Sequence, residues 1–179
     1  MSFEILANQG RDRVYGTLAS VDTAKLRTMR NNTLRNCFSR FDETTNRMEH
    51  VARIYGLTFI NDAAARNPNA TWYTLQNTEG PIIWIAFGGD NMADYARLRQ
   101  LALRKVRMLI CVGNENSLLH QTFQGAIPII SDAENIADAV NKACYSGFEN
   151  VKVILSPATP QGLSDETAGR QFRHEVNEL

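Results

Sequence analysis

Three short apolar runs constrain this chain more than any other feature. They are Ile82-Ile-Trp-Ile-Ala-Phe87, Val106–Val112 and Val151–Leu155. Each stops at turn residues: Gly88-Gly89, Gly113 and Ser156-Pro157. A strand covered on both faces has this character. Between the runs lie segments with helical patterning: Asn67–Asn77 with Pro68 in its first turn, Asp94–Lys105, Ser117–Phe123 and Glu134–Tyr145. A shorter strand is expected at Ile127–Ile130, and a closing amphipathic helix at Thr167–Leu179. Met48–Tyr55 and Leu57–Ile60 read as a strand pair turning at Gly56. Strands alternating with helices at this spacing imply an α/β sandwich with a mostly parallel sheet. The strand ends at Phe87-Gly-Gly-Asp90, Val112-Gly-Asn114 and Leu155-Ser-Pro157 should then gather on one edge, where such folds bind ligands.

Upstream, Val14–Phe41 lacks proline and repeats its apolar residues every three or four positions, which predicts one or two amphipathic helices. Lys+Arg and Asp+Glu number 19 each, so no nucleic-acid partner is expected. Three cysteines without a Cys-x-x-Cys pair exclude a zinc ribbon by spacing, and they suggest a reduced, cytoplasmic protein. No window is long and apolar enough to suggest a membrane span.

The chemistry-bearing motifs are sparse. No glycine precedes a lysine, so there is no Walker-type phosphate loop in these 179 residues. Neither Gly-x-Gly-x-x-Gly nor Gly-x-Ser-x-Gly occurs. His174-Glu-Val-Asn-Glu178 misses the metalloprotease pattern and reads as a charged helix face. Three scattered histidines suggest no metal site, and His120 reads as a solvated surface residue. Gly88-Gly-Asp-Asn91 suits either a close ligand approach or a plain strand-to-helix turn. Ser156-Pro157 allows the same two readings, with the turn favoured. Asp62 suits either a helix cap or a ligand contact.

Several of these pieces occur in one consistent order: Arg47-Met-Glu, Asn61-Asp62, Asn69-Ala-Thr-Trp-Tyr-Thr-Leu75, Gly88-Gly-Asp90, Val112-Gly113, Leu155-Ser-Pro-Ala158 and Gly169-Arg-Gln-Phe172. In that order they resemble the Mur ligases, and within that family the enzymes that add D-glutamate. The resemblance implies a three-layer, Rossmann-like C-terminal domain over residues 46–179. Residues 1–45 are similar to the end of the family's central ATPase domain.

Carried over position by position, the resemblance implies that Arg47 and Asp62 help hold ATP or ADP. The other matched positions depart from the family. Its aspartate is followed by Ser-Lys-Ala-Thr-Asn, whereas here Ala63-Ala-Ala-Arg-Asn67 follows. Ala64 takes the lysine position and Arg66 the threonine position, with Asn67 retained. Met92 stands where a lysine, beyond Gly88, Gly89 and Asp90, would pair with the incoming carboxylate. Past Ser156, Gln161 replaces a serine. Losing such charged hydrogen bonds costs about 1.5–3 kcal/mol each. The resemblance therefore implies a chain that is not a competent ligase alone, with no catalytic residue assigned, and that acts as a nucleotide-binding or regulatory module. The alternative is one piece of a split ligase: an ATPase partner in trans would supply ATP and magnesium, and Arg66 would serve as the carboxylate partner. Residues 1–45 would mediate contact with that partner or a homodimer.

Overall fold

The computed structural model describes residues 46–89 and 95–179. The N-terminal helices expected over 14–41, and positions Asp90 and Met92, lie outside the described residues.

A hairpin opens the described chain: β1 (Glu49–Ile54) and β2 (Leu57–Asn61) are antiparallel. Its two-residue turn has Tyr55 at φ 51° and Gly56 at φ 77°. Positive φ at both central residues matches the twist of the flanking strands, and glycine supplies one of them without strain. Helix α1 (Pro68–Asn77) follows, then β3 (Ile82–Phe87), α2 (Ala96–Lys105), β4 (Val106–Val112), α3 (Ser117–Phe123), β5 (Ile129–Ala133), α4 (Ile136–Cys144), β6 (Val151–Leu155) and α5 (Asp165–Asn177).

The six strands lie in the order β1-β2-β6-β3-β4-β5, and every pairing except β1 with β2 is parallel. Ile82–Phe87 is buried at all six positions because it runs between β6 and β4 with a helical layer on each face. Alternate residues feed two cores. Ile83, Ile85 and Phe87 meet Ile136, Val140 and Phe172 from α4 and α5. Ile82, Trp84 and Ala86 meet Leu75, Leu98, Leu119 and Phe123 from α1, α2 and α3. The Trp84 and Phe123 rings stand edge to face at 5.2 Å.

The bounds of the fifth strand and of the last helix differ from expectation for local reasons. The fifth strand begins at Ile129 rather than Ile127. Ile127 caps the turn after α3, donating its N–H to Phe123 O at 3.0 Å, and buries its side chain in the core. The strand continues through Ser131 and Asp132 because it is an edge strand with one side open. The last helix begins at Asp165, since Ser164 Oγ accepts the Thr167 N–H at 3.2 Å and acidic residues fill the first turn. Among the described residues no helix is long and apolar enough to cross a membrane.

Candidate functional site

The carboxyl ends of β2 and β6 meet in a sealed polar corner. Backbone bonds lock them together: Asp62 N donates to Leu155 O, and Ala158 N to Ala65 O, both at 2.9 Å. Asp62 has no exposed surface. Its Oδ1 accepts the Met48 N–H at 3.2 Å and faces Arg47 Nε at 3.7 Å. Its Oδ2 accepts the hydroxyls of Thr74 and, at 3.4 Å, Ser156. Thr71 Oγ lies 2.8 Å from Ser156 Oγ, and Trp84 Nε1 donates to Ser156 O at 2.8 Å. Burial raises the Asp62 carboxyl to about 6, against the opposing pull of Thr74, Arg47, Met48 N–H and Ser156.

The turn that places Arg47 there is itself pinned. Asn46 and Met48 adopt left-handed backbone, at φ 65° and 45°. Asn61 Nδ2 and Arg173 both donate to Asn46 Oδ1, at 3.0 and 2.7 Å, and both reach Glu49 as well. Ala64 donates its N–H to Asn46 O at 3.0 Å. Asn67 caps α1 by accepting the Ala70 N–H at 2.9 Å. Asp62, Ser156, Ala64 and Asn67 are thus brought together around one corner. Thr71 and Thr74, three apart on one face of α1, complete it. That spacing was the available signal for them, but nothing local shows which face turns inward. Trp72, between them, points outward and is 42% exposed.

The carboxyl ends of β3 and β4 are open by contrast. A cavity of about 520 Å³ lies there, walled by Phe87, Gly88 and Gly89 and by the loops at 112–115, 134–136 and 161–163. Gly88 is required by close approach: a Cβ at that position would meet the Glu115 carbonyl and Asn116 Oδ1. Over Gly89 lies the Gln161 side chain. Glu115 and Glu134 bring two carboxylates to the rim, and no Lys, Arg or His is among the described lining residues. Arg66, the nearest candidate cation from the sequence, is committed elsewhere. Its guanidinium donates to Leu163 O at 2.6 Å and to Pro160 O, tying down the loop that walls the cavity. The sequence flagged Gly88, Gly89 and Gln161 but not the two glutamates, which come from loops that only the sheet order makes neighbours. His120, expected to be solvated, is 38% exposed and also has Nε2 2.9 Å from Asp132 Oδ1.

No family model matches the chain. The chain is 35% identical, over its full length, to the UDP-N-acetylmuramoylalanine–D-glutamate ligase of Porphyromonas gingivalis. It is 33% identical to the enzyme of that name from Bacteroides fragilis, again over its full length. It spans 40% and 41% of those relatives. Among solved structures, the murein peptide ligase of Psychrobacter arcticus superposes with a TM-score of 0.52 at 12% identity, covering 75% of this chain and 30% of that one. Folylpolyglutamate synthase of Thermotoga maritima gives 0.51 at 14% identity, covering 74% and 31%. The chain is a Mur ligase relative. Its described part is a Mur ligase C-terminal-like domain with a six-stranded, mostly parallel sheet.

Of the two Mur ligase positions expected to contact nucleotide, Asp62 is enclosed in this corner and Arg47 stands beside it. A carboxylate offers about four acceptor directions. At Asp62 the Met48 amide and the Thr74 and Ser156 hydroxyls donate to three of them, Arg47 Nε stands at ion-pair distance, 3.7 Å, and the residue has no exposed surface. A ribose hydroxyl reaches this carboxylate only if the corner opens.

Proposed function

We propose that this chain is a binding module of the peptidoglycan-precursor ligase lineage that does not by itself join D-glutamate to a muramoyl substrate. The charge of the cavity carries this reading. A dicarboxylate entering it would meet Glu115 and Glu134 with no cation among the described lining residues. Its charges would find amide donors such as Asn114, Asn135 and Gln161 but no ion pair among those residues, so its desolvation would be only partly offset. Arg66, which a split ligase would use as the carboxylate partner, already satisfies two main-chain carbonyls. Asp62 and Arg47 serve the fold, locking the 46–48 turn to α1 and β6. The cavity volume lies within the range of small-molecule sites, about 300–1,000 Å³, which supports small-molecule binding. The reduced, widely spaced cysteines support a cytoplasmic setting.

The test is a coupled assay of ADP release by the purified chain with ATP, magnesium, UDP-N-acetylmuramoyl-L-alanine and D-glutamate. No release above the no-enzyme control is expected. Sustained release that depends on D-glutamate would sink the reading.

A further inference from the structure

Cys111, Asp132 and His120 come from three elements, and the fold brings them to one point. Cys111 on β4 lies directly beside Asp132 on β5 in the parallel register. Their side chains therefore stand on the same face of the sheet. Over that face runs α3: Leu119 and Phe123 share a core with Cys111. His120 on the same helix reaches down to the Asp132 carboxylate, with Nε2 to Oδ1 at 2.9 Å. A thiol sulfur, an imidazole nitrogen and a carboxylate oxygen result, all within 4.8 Å of one another.

We propose that Cys111, His120 and Asp132 form a binding site for one divalent cation of borderline softness, with zinc the best match. The donor set supports the choice. Thiolate and imidazole select zinc-like ions over magnesium or calcium, and a carboxylate oxygen is a further zinc ligand. Bond lengths of about 2.0–2.3 Å at tetrahedral angles place donor atoms roughly 3.3–3.8 Å apart, a contraction that side-chain rotation supplies. Cys111 is buried, while the His120 and Asp132 side chains are 38% and 58% exposed, which leaves a solvent-facing fourth position. Asn116 adds an outer support. Its Nδ2 donates to Asp132 Oδ1 at 2.8 Å and also holds Cys111 O and Gly113 O. Such partners orient ligands and tighten metal sites. Lys142, beside the site, donates to the Asp132 main-chain oxygen and is paired with Asp138. On binding, the thiol proton passes to solvent as the sulfur–metal bond forms. The ion would pin α3 and the 113–116 loop, one wall of the cavity at Gly88.

The experiment is titration of the chelator-treated full chain with zinc chloride, and separately with cobalt(II), followed by calorimetry and near-ultraviolet absorption. One zinc per chain is expected, at micromolar affinity or tighter, with a thiolate-to-cobalt charge-transfer band. Cys111→Ser removes the band. His120→Gln and Asp132→Asn, at exposed positions, each weaken zinc binding at least about tenfold without altering circular dichroism. If the buried serine variant fails to fold, those two decide the matter. An absence of saturable zinc binding, or affinity unchanged in both exposed variants, overturns the proposal.

Discussion

Asp62 and Glu134 are carboxylates at the same edge of one sheet, and the fold treats them in opposite ways. Asp62, past the end of β2, is sealed under α1 and surrounded by donors from its own chain. Glu134, past the end of β5, stands exposed on a cavity rim with a second glutamate and no cation among the described lining residues. Asp62, which marks the lineage, sits where it holds the fold together. Gly88, Gly89 and Gly113, which mark it too, line the cavity, whereas Gln161 beside them departs from the family. A retained motif in a closed, self-satisfied corner is evidence of architecture before it is evidence of activity.

The contrast can be broken at its sealed end first. The folded-state value for Asp62 is about 6, above its ordinary 3.8. The native state therefore binds more protons than the unfolded state between these values. The stability this group contributes is full below pH 3.8 and is lost as pH rises through 6. Asp62→Asn removes that titration. Between pH 4 and pH 7 the parent should lose roughly 2.5 kcal/mol more stability than the variant, read by urea denaturation across the range. Parallel pH profiles would mean that the carboxylate is not buried as described.

At the cavity wall the expected effect is smaller. Gly88→Ala puts a methyl group against the Glu115 main chain, which must shift, and should cost about 2 kcal/mol by thermal or urea unfolding. A neutral outcome would show that the wall is looser than its contacts imply. Smallest is Arg66→Met. It removes two hydrogen bonds at a partly exposed site, so about 1 kcal/mol is expected. The more telling readout is faster amide exchange at Gln161–Leu163 with the rest of the sheet unchanged. Unchanged exchange there would mean that Arg66 does not restrain the loop.

Much of this was legible from residue order. The buried strands announced themselves because β3, β4 and β6 are covered on both faces and admit few polar residues. The fifth strand was misplaced because an edge strand tolerates Ser131 and Asp132, which break the apolar signal. The substitutions at Ala64 and Arg66 could be read directly. What Arg66 does could not, since its partners lie 94 and 97 residues along the chain. The fate of Asp62 was hidden for a similar reason: Thr74 and Ser156 reach it only once α1 packs across β2 and β6. The exposure of His120 was legible, but its partner was not, because helical position alone does not show that β5 carries a carboxylate beneath it.

Isothermal titration of the purified chain with D-glutamate at neutral pH and low salt tests the central claim most directly. No saturable heat through the millimolar range is expected, since the described cavity lining offers the ligand two like charges and no cationic partner. Saturable binding of D-glutamate with one site per chain would contradict it.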